Sequence, residues 1–225
     1  MTLTTKVGGG ALIASSLAGL GVAGGRQLRQ EDPSTTQQKT KISTLIADRY
    51  DYILLNATSS NEDIKDWETN WNTYQRDNAG QGKDIFDLDG WTPTETKDLK
   101  DKLKKKCSLL ANTSISKNDN KTYENVTKYC ARSVTIADQA KKEKLRILSV
   151  ENNSGDDFTI FGRRADANGA LNEELKALKV NGNHFRAAYK IRDACKTIVA
   201  TNKKNDEYED IFKAYKKVCA RQPRE

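Results

Sequence analysis

The sequence predicts an all-α fold: an N-terminal apolar helix, transmembrane or signal, followed by a helical body that reads as two related helical-hairpin units. Three observations carry this. Apolar residues recur three and four positions apart through most of the body. Proline is scarce, at three residues, and β-branched runs are short, so helix breakers and strand formers are both few. Four cysteines fall on predicted helices in two similarly spaced pairs.

The first element is the segment 1–25. From Val7 to Gly25 run 19 residues without a charge, bracketed by Lys6 and Arg26. As a helix they would span roughly 28 Å, close to the hydrocarbon core of a bilayer. Val7, Leu12, Ile13, Leu17, Leu20 and Val22 are strongly apolar, but seven glycines dilute the transfer energy. Gly10, Ala14 and Ala18 set small residues four apart, a spacing that lets membrane helices approach. A cleaved signal peptide is the second reading, with small residues at Gly21–Ala23 or Ala23–Gly25. A soluble Gly/Ala tail is the third. Gly19-Leu20-Gly21-Val22-Ala23-Gly24 matches a dinucleotide-binding fingerprint in letters only, because no second strand follows it. The leading expectation is a single-pass anchor with the N-terminus inside and the body outside; secretion after cleavage is the alternative. The basic body does not oppose export, since long domains translocate largely regardless of charge.

Residues 26–41 read as a polar linker with Pro33. A first helix is expected near Ile42–Asn56, from Ile42, Leu45, Ile46, Ile53 and Leu54. Ile64, Trp67, Trp71 and Tyr74 form an aromatic stripe on a second helix near Asn61–Gln75, a core stripe rather than a ligand cage. Asn78–Gly90 is a loop. Thr92-Pro93-Thr94-Glu95 has the form of a helix start, with Thr92 as N-cap and Pro93 at the first helical position. Leu99, Leu103, Cys107 and Leu110 follow on that helix, and Lys100–Lys106 supplies five lysines to its outer face. Asn112–Lys121 is a loop and Thr122–Ala137 a helix. Ala140–Ser149 is expected as helix, with a strand at Leu145–Val150 as the alternative. Phe158–Phe161 reads as a short strand or a helix end. A helix from Gly169 to about Val180 stops at Asn181-Gly182-Asn183, and two more follow near His184–Thr201 and Asn205–Arg221.

The body repeats itself. Cys107 and Cys130 are 23 residues apart, Cys195 and Cys219 are 24 apart, and Cys130-Ala131-Arg132 matches Cys219-Ala220-Arg221. One, four and seven positions before those motifs stand Tyr129, Val126 and Tyr123 in one case and Val218, Tyr215 and Phe212 in the other. Leu103 matches Ile191, Leu110 matches Ile198, and Thr113 matches Thr201. A weaker echo sets Asn72-Thr73-Tyr74 against Phe158–Phe161. The expected organisation is a first helical unit over 42–137 and a second over 138–225. Cys107–Cys130 and Cys195–Cys219 are the natural bridges of two helix hairpins, although four cysteines allow three connectivities. Four reduced cysteines in a cytosolic body are the competing reading.

No constellation for catalysis stands out, so no catalytic residue, cofactor or metal ligand is expected. His184 is the lone histidine and no C-x-x-C pair exists, which argues against zinc. Asp87, Asp89 and Gly90 resemble a calcium loop, but Ile85 and Thr96 occupy its first and twelfth ligand positions. Asn56, Asn112, Asn120 and Asn125 begin N-x-S/T sequons. Net charge is +7 and the pI about 9.1. That balance fits a solvated lysine surface first, and attraction to anionic surface ligands second. The Lys100–Lys106 run lacks interleaved aromatics for base stacking, so no nucleic-acid partner is expected.

Taken together, the M-T-L-T-T-K start, the Gly/Ala-rich apolar segment, the Lys- and Asn-rich body, the paired tryptophans and the late C-A-R resemble the paralogous families of uncharacterised proteins of haemotropic mycoplasmas. The resemblance implies an exported or membrane-anchored product of a wall-less, blood-borne bacterium, contributing to surface variation. It brings no catalytic motif. The expectation is a surface protein that works by binding or antigenic display; the alternatives are a soluble basic nucleic-acid-binding module and an exported enzyme.

Overall fold

Ile42 opens the first helix because its N–H is taken from outside that helix, by the Thr113 carbonyl at 3.0 Å. The computed structural model describes residues 39–58, 63–94, 97–116, 118–151, 155–167, 169–223 and 225. The apolar segment 7–25 and most of the linker lie outside the described residues. Among those described, no helix is long and apolar enough to cross a membrane.

The described chain is helix-rich with four very short strands. β1 (Thr40–Lys41) leads into α1 (Ile42–Arg49), β2 (Tyr52–Leu54) and α2 (Ile64–Asn78). α3 (Lys100–Ala111), β3 (Ser114–Ile115), α4 (Asn120–Tyr129) and β4 (Ala131–Ser133) follow. Then come α5 (Ile136–Lys142), α6 (Asp156–Ala165), α7 (Asn172–Ala177), a 3-10 turn at Gly182–His184, α8 (Ala188–Ile198) and α9 (Tyr208–Val218). β1 pairs antiparallel with β3, and β2 with β4.

Buried apolar side chains gather into two clusters. One takes Ile42, Trp67, Trp71, Tyr74, Leu103, Val126 and Tyr129 with the Cys107–Cys130 pair. The other takes Ile136, Phe161, Leu175, Ile191, Phe212 and Tyr215 with Cys195 and Cys219. α2 packs on α3 and α4, α6 on α8, and α7 on α9. The aromatic stripe of α2 lies in the first core. Tyr74 sits at its centre, 5.0 Å from Tyr129 and 5.5 Å from Phe86 between ring centroids. Its hydroxyl donates to Asp84, whose carboxylate also accepts from the backbone N–H of Phe86 and Leu88. Asn78 completes the cluster, donating to the Tyr74 carbonyl and accepting from Ile85 N–H. Those bonds fix the loop after α2 and use up Asp84, the one buried carboxylate near the resembled calcium loop; among the described residues no acidic cluster is disposed to hold a metal ion. Burial, then the bond to Asp84, pushes the Tyr74 phenol well above its usual range.

Several expected helices are shorter than their periodicity suggested. The helix expected over Ile42–Asn56 ends at Arg49: Tyr50 takes a left-handed φ of 51°, and Tyr52–Leu54 turn into a strand against Ala131–Ser133. The helix expected over Thr122–Ala137 stops at Tyr129 for the matching reason, since Ala131–Ser133 are the other half of that ladder. The proposed start at Thr92 is also corrected. α3 begins at Lys100, whose N–H is capped by Asp98, while the Pro93 carbonyl is drawn to Gly80 N–H. In the Ala140–Ser149 stretch the chain leaves helix at Lys142, turns through Lys144 with φ 55°, and Ile147 bridges Ala220; the strand alternative is closer to what forms. Phe158–Phe161 lie within a helix, α6.

The same bonds recur in the two halves. Ile42 N–H donates to Thr113 O, and Ile136 N–H to Thr201 O at 2.9 Å. Leu55 N–H donates to Cys130 O at 3.0 Å, and Leu148 N–H to Cys219 O at 2.9 Å. The Lys41–Ser114 and Leu54–Ala131 pairings reappear as Thr135–Asn202 and Ile147–Ala220. Asn56 N–H meets the Asp63 carboxylate as Ser149 N–H meets that of Asp157, at 2.8 and 2.9 Å. This register pairs Trp67 with Phe161 and Asn70 with Arg164, so the echo between Asn72-Thr73-Tyr74 and Phe158–Phe161 is out of step.

Leu103 is fully buried in the first core, whereas Leu109 on the same helix is 69% exposed. Leu103→Ala should cost about 2–5 kcal/mol and Leu109→Ala under about 0.5 kcal/mol, read as urea midpoints at unchanged slope.

Candidate functional site

The four cysteines come together as two bridges, Cys107–Cys130 and Cys195–Cys219, with Cα–Cα separations of 5.4 and 5.7 Å. None is free. In each pair the first cysteine lies on a helix and the second caps the next helix, so each bridge closes a helix hairpin. All four are buried. A bridge closing a loop of this length stabilises by roughly 3 kcal/mol, by restricting the unfolded chain.

The residue after each Cys-Ala matters as much. Arg132 forks onto Asp138 at 2.6 and 2.9 Å, and its Nε lies 4.0 Å from Asp66. Asp138 is itself half of a capping box, bonded to the Thr135 backbone and hydroxyl. Burial alone would raise the Asp138 pKa; the Arg132 and Thr135 bonds outweigh it and hold the carboxyl down at about 2. Arg221 also reaches a carboxylate, that of Asp157, the counterpart of Asp63 rather than of Asp138. Around Arg132 the two halves meet. Tyr50 donates to the Asp138 carbonyl at 3.1 Å, Tyr208 to that of Thr135 at 3.3 Å, and Val134 N–H to that of Asp51 at 3.0 Å. Lys142 stands 3.6 Å from the Tyr50 ring centre.

An open cleft of about 460 Å³ lies at this meeting point, lined by Asp51, Tyr52, Ser133, Lys203, Lys204 and Asp206 among others. Its charges are mixed, and Lys203 is drawn to Asp51 at 3.3 Å. Near His184 a cleft of about 350 Å³ has a mostly apolar lining, and its one carboxylate, Asp193, is bonded to Arg192. His184 is exposed there, with no hydrogen bond or ion pair from its side chain among the described residues. A third cleft, of about 430 Å³, lies beside α6 and α7 and holds Arg164 and Arg186 with no carboxylate in its lining. Sequence reasoning missed it, because its residues come from three separate stretches and neither arginine sits in a motif.

The lysine run of α3 is largely paired: Lys100 with Glu68, Lys102 with Asp89, and Lys104 near Asp101 at 4.0 Å. No protein-family model matches the chain, and no curated protein or solved structure matches it.

Replacing both cysteines of either pair by serine should lower the unfolding free energy by roughly 3 kcal/mol, with equal effect on the two hairpins, read by urea titration. Asp138 sets an acid dependence. Its carboxyl titrates near 3.8 unfolded and about 2 folded, so the unfolded chain takes the proton first as pH falls. The stability it contributes, at most about 2 kcal/mol given its partial exposure, is present above about pH 4 and lost toward pH 2. Asp138→Asn should flatten that part of the stability curve.

Proposed function

We propose that this chain is an extracytoplasmic helical body, carried to the membrane by residues 7–25, that acts at a surface by binding or display. The observation that carries the reading is the pair of buried disulfides. Such bridges persist in oxidising compartments and are rare where thiols are kept reduced. Each closes one helix hairpin of the body, beside one of its two buried clusters, and stabilises it by restricting the unfolded chain. The recurrent bonds around Cys130 and Cys219 support a second part of the reading, that the halves are related copies of one helical unit. Such a body offers loops that can vary while its stapled frame stays the same. Anionic surface ligands fit the +7 charge, and the resemblance to the mycoplasma families favours the same location.

Two measurements on intact cells expressing the chain test this. Protease added outside should remove the body, and maleimide should label its cysteines only after denaturation with reductant. A protected body with cysteines labelled under denaturation alone would sink the reading. Steep salt-dependent binding to RNA in that same setting would replace it with the basic-module alternative.

A further inference from the structure

The first half shows what the fold requires at one position, and the second half has put something larger there. Asn70 in α2 donates from Nδ2 to the Ala131 carbonyl at 3.0 Å. Arg164 in α6 makes the corresponding bond, from Nη2 to the Ala220 carbonyl at 2.9 Å. One neutral amide is enough for that bond in the first half. Arg164 brings a permanent charge and more donors than the bond uses, and it is only 8% exposed. A buried guanidinium is costly unless its donors find acceptors. Nη2 also meets the Glu225 carboxylate at 2.8 Å. Nε is buried and has no acceptor among the described residues. The other buried side-chain atoms in that condition are Thr92 Oγ1, Gln139 Oε1 and Arg221 Nε, and none of those residues belongs to the cleft beside Arg164.

Arg164 lines the cleft of about 430 Å³ between α6, α7 and the turn that precedes α8. Leu171, Leu175 and Phe185 give it apolar walls, and Asn172 adds an amide. Arg186 stands in its lining, exposed and without an ion pair among the described residues. Both charges in the lining are therefore positive, and the volume is that of a small-molecule site.

We propose that this cleft binds a small oxyanion, a carboxylate or phosphate borne on a modest apolar group, with the guanidinium groups of Arg164 and Arg186 as its partners. The guanidinium geometry suits either, since its planar donors match the oxygens of both. The site goes beyond the surface reading and does not depend on where the body resides, so either can fail while the other stands.

The test uses the full chain in mild detergent, isotope-labelled at its arginine side chains, with the Nε–H signals followed by NMR. Inorganic phosphate and benzoate are the two probes, and chloride at matched ionic strength is the control. The signal that disappears in Arg164→Gln should shift saturably with phosphate or benzoate and not with chloride. Saturation with phosphate alone marks a phosphate ligand; saturation with benzoate alone marks a carboxylate on an apolar body. Arg186→Gln, on an exposed residue, should weaken that binding about threefold to fivefold. If Arg164→Gln fails to fold, the Arg186→Gln comparison still decides. No saturable shift with either probe, an equal shift with chloride, or unchanged affinity in Arg186→Gln overturns the proposal.

Discussion

Everything in the described body hangs on the second cysteine of each pair. Cys130 ends α4 with its N–H on the Val126 carbonyl, and Cys219 ends α9 on that of Tyr215, both at 2.8 Å. Its sulfur ties that helix to its neighbour. Its carbonyl accepts the N–H of Leu55 or Leu148, so a distant segment is docked against the hairpin. The next carbonyl, of Ala131 or Ala220, takes a side chain from the helix that follows that segment. The arginine after it reaches an acid, Asp138 or Asp157. Cys-Ala-Arg is thus a hub at which four pieces of chain are joined within three residues. The motif is a structural staple, and nothing about it asks for chemistry.

This hub explains how such short strands are held. Each hairpin is closed covalently beside its apolar cluster, and the strands of β1–β4 that dock there are two or three residues long. Such strands could not persist alone. They survive because the cysteine backbone, already fixed by helix and bridge, offers its groups without further loss of freedom. The seam between the halves uses the same economy. Val134 is fully buried, its backbone bonds Asp51 on one side and Lys203 on the other, and Arg132 with Asp138 closes the polar rim.

The halves part company between their second and third helices. In the first, Tyr74, Asn78 and Asp84 bond one another and the backbone of Ile85, Phe86 and Leu88, and so hold the loop that follows α2. In the second, the same interval contains α7 and borders a cleft lined by Arg164 and Arg186. The frame is common, and the distinguishing chemistry lies in the interval. That is the usual division of labour between a scaffold and its loops.

The sequence by itself determined the helix-rich class and the faces of the main helices, and it made one cysteine pairing the natural one among three. Leu103 with Cys107, Tyr123 with Val126, and Ile211 to Val218 declare their buried faces through spacing alone, because a helix converts sequence distance directly into direction. Hairpin spacing favoured Cys107–Cys130 and Cys195–Cys219, and the tertiary structure chose them over the other two pairings by bringing those Cα atoms to 5.4 and 5.7 Å. Only the tertiary structure decided where those helices stop. Ile53, Leu54 and Arg132 continue a helical pattern in letters, yet each pairs across the chain, and a strand of three residues has too few positions to show a period of two. Arg164 was illegible for the same reason. Nothing nearby in sequence distinguishes it; its meaning arises from Ala220, Glu225 and Arg186, which only folding brings to its side.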